Sequence, residues 1–153
     1  MRLDIGSGNF PKEGFTTIDK YTQAHFYGDI TKLFYKDNSI EEVYTNQVLE
    51  HLSKKEVPVA LKEIQRILQP NGKFTIIVPD LEYCVNYWLK DKQSRGFPLD
   101  VIYGNQEHEG EFHKTGFTME TLKTLVEQAG LKITRLEIID DHAVKSIIVE
   151  GIK

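Results

Sequence analysis

The chain has 153 residues, of which 40% are apolar and 27% are charged, and its formal net charge is −4. This length fits a single domain with its own hydrophobic core, over residues 1–153. The charge disfavours a nucleic-acid partner, because phosphate binding needs clustered Lys and Arg.

Cysteine content and hydropathy bear on the compartment. Cys84 is the only cysteine, which excludes a disulfide within the chain and fits a reducing compartment. We find no signal peptide and no apolar run of roughly 20 residues. The sequence therefore predicts a cytoplasmic protein without a membrane span.

The first third of the chain predicts short strands that end in glycine or an acidic residue. Apolar and β-branched residues bounded by turn signals are typical of strands. Such strands are predicted at 2–5, 15–19, 25–28 and 41–46.

The remainder of the chain alternates between helices and strands. The clearest helix is predicted at 53–68, where apolar side chains repeat at i, i+3, i+4 and i+7 before Pro70-Asn71-Gly72. The other predicted elements are a buried strand at 73–78, a helical segment at 80–105 interrupted by Gly96 and Pro98, a helix from its Thr118 cap to Gly130, and strands at 131–139 and 143–150.

This alternation predicts an α/β domain with a mainly parallel sheet. The last two strands are joined too tightly for a parallel crossover, so the last strand should be antiparallel. Only about nine residues separate the first two strands, whereas a crossover usually needs a dozen or more. The first helix should therefore be shortened or missing, which leaves 80–117 as the substrate-side insertion.

Ligands of such sheets bind at the carboxyl ends of the strands. Gly6-Ser7-Gly8 follows the first strand and allows a ligand to approach the backbone closely. A carboxylate at Asp19 suits ribose hydroxyls, and one at Asp29 suits an adenine amino group. Each feature alone is more often a turn or a solvated strand end, but their order and spacing favour a nucleoside-containing cofactor. Pro11 stands where a dinucleotide fingerprint needs glycine.

The strand-end motifs resemble those of class I S-adenosylmethionine-dependent methyltransferases. "LDIGSG" resembles the first motif of that family, "TTIDK" its acidic second motif and "GDI" its adenine-side acid. "DNSIEEVYTNQVLEHL" and "ILQPNGKFTIIVPD" resemble the fourth- and fifth-strand blocks. More narrowly, the "GSG…P..G…ID" opening and "YGNQ…HKTGFT…L..AG" look like compact type-11-like proteins linked to surface-polysaccharide synthesis.

The resemblance implies a three-layer, Rossmann-like methyltransferase sheet and S-adenosyl-L-methionine as the cofactor. It implies methyl transfer to a small-molecule or glycan acceptor, at oxygen. The residues implied or predicted to bind the cofactor are Asp4, Gly6, Ser7, Gly8, Asp19, Lys20, Asp29, Ile30, Asn46 and Gln47.

A hydroxyl acceptor benefits from a general base. The segment "GNQEHEGEFHKTG" offers His108 and His113, of which His113 matches the family's histidine before "GFT". A solvated polar loop is an equally good interpretation of this segment. The predicted acceptor contacts are Tyr103, Asn105, Gln106 and His51, although His51 also suits a structural role at the helix start. No metal site is expected, because no standard ligand spacing is present.

Two further expectations concern the cover of the substrate pocket and the possibility of a non-catalytic function. Most class I enzymes carry an N-terminal helical cover over the substrate, whereas this sequence begins on its first strand. We therefore expect a second subunit or a partner protein to cover the pocket. The alternative function is a non-catalytic binding or assembly module that retains the methyltransferase fold.

Overall fold

The computed structural model describes residues 1–90, 97–141 and 144–153, so the predicted breaker Gly96 lies outside the described residues. The strands are β1 (Arg2–Ile5), β2 (Thr16–Asp19), β3 (Phe26–Tyr27), β4 (Ile40–Asn46), β5 (Leu68–Pro79), β6 (Lys132–Asp141) and β7 (Val144–Ile152). The α-helices are α1 (Glu56–Ile67), α2 (Leu81–Lys90), α3 (Phe97–Tyr103) and α4 (Met119–Gln128). Two 3₁₀ turns lie at Leu49–His51 and Glu109–Glu111.

The seven strands form one sheet in the order β3-β2-β1-β4-β5-β7-β6. The strands β1 to β5 pair in parallel, and β7 is antiparallel to both of its neighbours. The predicted Rossmann-like sheet with an antiparallel last strand is confirmed. Because β1 to β5 are parallel, the loops that leave their carboxyl ends lie along one edge of the sheet.

The connection between β1 and β2 contains turns and no helix, as its length predicts. Gly6 and Gly8 adopt positive φ angles of 73° and 51°, which glycine reaches at little cost. The buried carboxylate of Asp4 accepts a hydrogen bond from the Lys12 backbone N–H at 2.8 Å. This bond draws the far end of the connection back onto β1.

The central helix buries the predicted apolar stripe against the sheet. Val57, Ala60, Leu61 and Ile64 are all at most 1% exposed. Helix α1 begins at Glu56, three residues later than predicted, and the Glu56 carboxylate accepts the Ser53 backbone N–H at 2.8 Å. This bond is one of the two reciprocal hydrogen bonds of a capping box, and it forms just before the helix.

Strand β5 begins earlier than the prediction of residue 73, because Leu68 already pairs with Ile40 and the register shifts before Lys73. Asn71 has φ = 62° within this stretch. Helix α4 is confirmed, with Thr118 as its side-chain N-cap and Gly130 at φ = 86° after its end. No helix in the described ranges has the length and apolarity needed to cross a lipid bilayer.

Candidate functional site

A cleft of about 320 Å³ lies at the carboxyl ends of β1, β2 and β4. Its volume falls within the usual range for small-molecule sites. The cleft brings together seven of the predicted cofactor residues, namely Gly6, Gly8, Asp19, Lys20, Asp29, Ile30 and Gln47.

The two glycines of the first loop have different physical roles. A Cβ on Gly6 would lie 2.3 Å from Cγ2 of Val48, so glycine is needed there for the loop to pack against the segment after β4. A Cβ on Gly8 would meet no atom within 4 Å. Since Gly8 lines the cleft, its bare backbone faces open space that a ligand can occupy.

The carboxylate of Asp19 joins the loops after β1 and β2. Its Oδ2 accepts the Gly8 backbone N–H at 2.9 Å, and its Oδ1 accepts those of Tyr21 and Thr22 at 2.7 and 2.8 Å. Burial by itself raises the pKa of Asp19, but these backbone N–H donors outweigh it and hold the pKa below its ordinary value. A carboxylate oxygen can accept two hydrogen bonds, so Oδ2 keeps capacity for one ligand hydroxyl.

Asp29 and Lys20 form an ion pair on the wall of the cleft, with Nζ and Oδ2 2.8 Å apart. The other carboxylate oxygen of Asp29 accepts both the N–H and the hydroxyl of Thr31. Burial raises the pKa of Asp29, but the hydrogen bonds from Lys20 and Thr31 lower it by more. Asp29 is therefore a fixed, ionised acceptor.

Three predicted cofactor residues do not line the cleft in the described part of the chain. Asp4 is 2% exposed and its carboxylate bonds to the backbone of Lys12, so it supports the loop from below. Ser7 Oγ and Asn46 Oδ1 are buried and have no hydrogen-bond partner among the described residues. Direct contact of these three side chains with a cofactor stays a prediction.

The opposite wall of the cleft comes from the segment after α3. Its lining residues are His108, Glu109, Gly110, Glu111 and Lys114. His108 Nδ1 accepts the Gly110 N–H at 3.1 Å, and His108 Nε2 lies 3.2 Å from the Glu111 carboxylate. A proton on Nε2 satisfies both contacts and leaves no free lone pair, which disfavours His108 as a general base.

The predicted acceptor contacts after α3 lie outside the cleft lining defined by the described residues. Tyr103 is 57% exposed, and its carbonyl accepts a bond from Gln106 Nε2 at 3.4 Å. Asn105 Oδ1 accepts the Glu107 N–H at 3.2 Å. The Asn105 and Gln106 side chains bond within the turn that follows α3, and Tyr103 is the last residue of that helix. The geometry therefore does not favour the acceptor role predicted for them.

His51 and His113 form a contacting pair beside the cleft, with ring centroids 4.8 Å apart in an edge-to-face arrangement. His51 lines the cleft, whereas His113 lines a smaller neighbouring cavity. Burial and the nearby His113 lower the pKa of His51 to about 4, and burial also lowers that of His113. Both imidazoles are therefore neutral at pH 7.

The backbone around this pair fixes which ring nitrogen of His113 carries the proton. His113 Nδ1 lies 2.7 Å from the Val101 carbonyl, which can only accept, so Nδ1 carries the proton and Nε2 keeps a lone pair. The His51 ring lies beside the Phe112 backbone and contacts the His113 ring, so both of its neighbours belong to the segment that carries His113.

Glu50 is a candidate that sequence reasoning overlooked. It lies in the 3₁₀ turn after β4 and is 1% exposed, and neither carboxylate oxygen has a hydrogen-bond partner among the described residues. Burial raises its pKa to about 8. The sequence shows an acid at a strand end, but it carries no local signal that this side chain, rather than its neighbour, points inward.

Comparison with known proteins supports the chemistry suggested by this geometry. The sequence model of the methyltransferase domain family matches residues 12–76. No curated protein sequence matches the chain.

Solved structures match over nearly the whole fold. A Methanosarcina mazei S-adenosylmethionine-dependent methyltransferase superposes with a TM-score of 0.72 at 16% identity, covering 99% of this chain and 91% of that one. A Burkholderia thailandensis 1,6-didemethyltoxoflavin-N1-methyltransferase, solved with its substrate and S-adenosylhomocysteine, gives 0.70 at 17% identity, with 99% and 70% covered. A Haloferax volcanii methyltransferase in complex with the Trm112 methyltransferase activator gives 0.66 at 16% identity, with 99% and 81% covered.

The family match over residues 12–76 and the shared fold agree with the prediction of a methyltransferase that uses S-adenosylmethionine. At these identities the solved structures show the fold alone. The methyl acceptor and the atom methylated are left unspecified.

Asp19→Asn should weaken the binding of S-adenosylhomocysteine at least tenfold in calorimetry and lower the melting temperature. The amide has one accepting oxygen where the carboxylate has two, so its NH₂ group would face backbone N–H donors. Asp37→Asn is the matched control, because the Asp37 carboxylate pairs with Arg66 at the surface, away from the cleft. Unchanged affinity in Asp19→Asn would remove Asp19 from the cofactor site.

Glu50→Gln should stabilise the protein more at pH 8 than at pH 5. Glu50 ionises near pH 4.5 when unfolded but near pH 8 when folded, so the wild-type protein loses stability as the pH rises between these values. The difference in unfolding free energy between Glu50→Gln and the wild type should grow by at most about 1.4 kcal/mol for each unit of pH in this window. Urea unfolding in the presence of a chelator measures it.

The matched control for this pH series is Glu41→Gln, since the Glu41 side chain is 63% exposed. We expect the stability difference between Glu41→Gln and wild type to show no comparable rise with pH. A difference for Glu50→Gln that is the same at both pH values would mean that Glu50 is ionised in the folded protein.

Proposed function

We propose that this chain methylates a hydroxyl group of a neutral small molecule or glycan, with S-adenosylmethionine bound in the cleft. The observation that carries the proposal is the convergence of the glycine loop, Asp19 and Asp29 on one cleft whose far wall is polar. The glycan alternative rests on the sequence resemblance alone.

In this proposal the first loop and the two aspartates hold the cofactor. Gly8 leaves room for the ligand, and the free lone pair of Asp19 Oδ2 accepts a ribose hydroxyl. Asp29 lies after β3 on the same cleft and suits the adenine amino group. These roles agree with the general rule that such sheets bind ligands where their parallel strands end.

The charge of the cleft supports a cationic cofactor and disfavours an anionic acceptor. Five carboxylates and two lysines line it, namely Asp19, Asp29, Glu56, Glu109, Glu111, Lys20 and Lys114. An excess of negative charge attracts the sulfonium and ammonium groups of S-adenosylmethionine and repels phosphorylated acceptors. Hydroxyl groups, by contrast, can donate hydrogen bonds to the carboxylates.

We assign activation of the acceptor to the pair of His51 and His113. Methyl transfer needs the nucleophile to be aligned with the sulfonium and to lose its proton. His51 reaches the cleft and contacts His113, and both rings are neutral at pH 7. The catalytic role that the sequence assigned to His113 thus becomes an indirect one, exerted through its contact with His51.

A screen with methyl-labelled S-adenosylmethionine tests the proposal. Label should pass to neutral glycans or alcohols and not to phosphorylated analogues or amines. His51→Asn should lower kcat at least tenfold, with the affinity for S-adenosylhomocysteine unchanged as the internal control for folding. Transfer to amines alone, or a His51→Asn variant with full activity, would contradict the hydroxyl chemistry proposed here.

We also propose that a second polypeptide chain covers the cleft. Phe10 and Tyr21 both line the cleft and are 88% and 52% exposed, so the cleft presents apolar ring surface that a covering chain could bury. The Haloferax volcanii relative was solved in complex with an activator protein, so one protein of this fold does assemble with a partner.

The active species should therefore exceed the 17.7 kDa of one chain. Light scattering at assay concentration, combined with activity measured across the eluted peak, checks this expectation. Phe10→Ser should shift the distribution toward the monomer and reduce activity in parallel. A strict monomer with full activity would exclude a covering chain.

A further inference from the structure

Glu50, His51 and His113 form a cluster whose ligand atoms all lie within 4.8 Å of one another. The first two residues follow β4, and the third comes from the segment after α3. The Glu50 carbonyl accepts the backbone N–H groups of Lys114 and Thr115 at 2.7 and 3.1 Å. These two bonds fasten the segment that carries His113 directly over the turn that carries Glu50.

Each histidine in the cluster presents one nitrogen without a partner. His113 Nδ1–H donates a hydrogen bond to the Val101 carbonyl, so Nε2 carries the free lone pair. His51 Nδ1 is buried and has no hydrogen-bond partner among the described residues. An imidazole anchored through one nitrogen to a backbone carbonyl, with the other nitrogen free, is the usual state of a metal-ligating histidine, and His113 is in this state.

The Glu50 carboxyl group is the second, independent observation. It is 1% exposed, and both of its oxygens lack a hydrogen-bond partner among the described residues. A buried polar group normally has a partner, because its desolvation is costly. A cation beside the two free imidazole nitrogens would supply that partner.

The space and the charge around the cluster suit a small cation. Glu50 and His113 line a cavity of about 10 Å³, which is close to the room that one water molecule needs. Glu111 Oε2 is also buried and has no hydrogen-bond partner in the described part of the chain, and the Glu111 charge acts on His51. Two carboxylates in this region would balance the charge of a divalent ion.

We propose that Glu50, His51 and His113 bind a divalent transition-metal ion beside the cleft. Two imidazoles and one carboxylate suit Zn²⁺ or Fe²⁺ better than Mg²⁺ or Ca²⁺, which prefer oxygen ligands. Tetrahedral Zn²⁺ places its ligand atoms about 3.4 Å apart, so ligand atoms that now lie up to 4.8 Å apart approach one another by up to about 1.4 Å on binding. Three protein ligands leave one coordination position open.

Binding of a metal ion by these residues does not depend on the proposed methyltransferase function. The role of the ion in activating the acceptor does rest on that function. An ion held by His51 lies next to the position where the acceptor enters. A bound metal lowers the pKa of a coordinated hydroxyl group, and the proton then leaves to solvent or buffer before methyl transfer. The sequence expectation of no metal site rested on the lack of a standard ligand spacing, and Glu50-His51 and His113 are far apart along the chain.

Zn²⁺ binding to the purified, chelator-treated chain tests the proposal without cofactor or acceptor, so its failure is distinct from failure of the methyltransferase assignment. Equilibrium dialysis should show one equivalent bound with a micromolar or tighter Kd. Glu50→Gln and His113→Gln should each weaken this binding at least 100-fold. Mg²⁺ at the same concentration should not compete.

The matched control is His108→Ala, which removes a histidine of the same segment that also lies beside a carboxylate. This variant should still bind one equivalent of Zn²⁺. A far-UV circular dichroism spectrum and a cooperative urea unfolding curve like those of the wild type show that each variant has folded. Absence of Zn²⁺ binding at 100 μM, or stoichiometric binding that survives both Glu50→Gln and His113→Gln, would overturn the proposal.

Discussion

The candidate site depends first on the Asp19 carboxylate and the three backbone N–H groups that it accepts. The two carboxylate oxygens of Asp19, at the end of β2, hold both the loop after β1 and the turn after β2. Without the hydrogen bond to Asp19, Gly8 would not be held over the cleft, because its positive φ is only one of the conformations that glycine readily adopts. The charge that suits a cofactor ribose is therefore the same charge that shapes the loop around it.

A second constraint joins the two walls of the site. The Glu50 carbonyl bonds to Lys114 and Thr115, and the Thr115 hydroxyl donates to the Leu52 carbonyl at 2.7 Å. These bonds tie the turn after β4 to the segment that supplies His108 and His113. Hydrogen bonds to main-chain carbonyls thus connect the two walls of the cleft, and they fix the positions of the side chains that each wall carries.

Much of the fold and of the cofactor side could be predicted from the sequence, because the signals there are local. The pattern of apolar residues located α1, and the short spacing before Thr16 predicted the missing first helix. The acceptor side could not be predicted in the same way. Whether Tyr103 or His51 faces the cleft depends on how 100–117 packs over β4, and no periodicity within that segment encodes this packing. Glu50 was overlooked for the same reason, since its burial arises from residues distant in the chain.

The helix-free link between β1 and β2 also affects the order in which the sheet can assemble. Leu3 pairs with Thr16, whereas Phe74 must meet Gly151, so the first loop to be closed is several times shorter than the second. By loop-closure entropy the difference is about 1.6 kcal/mol in favour of the β1–β2 pair. The segment that carries the glycine loop and Asp19 therefore has a lower entropic cost of closure than the β5–β7 pair, whereas the β6–β7 hairpin, in which Asp141 pairs with Val144, closes a shorter loop still.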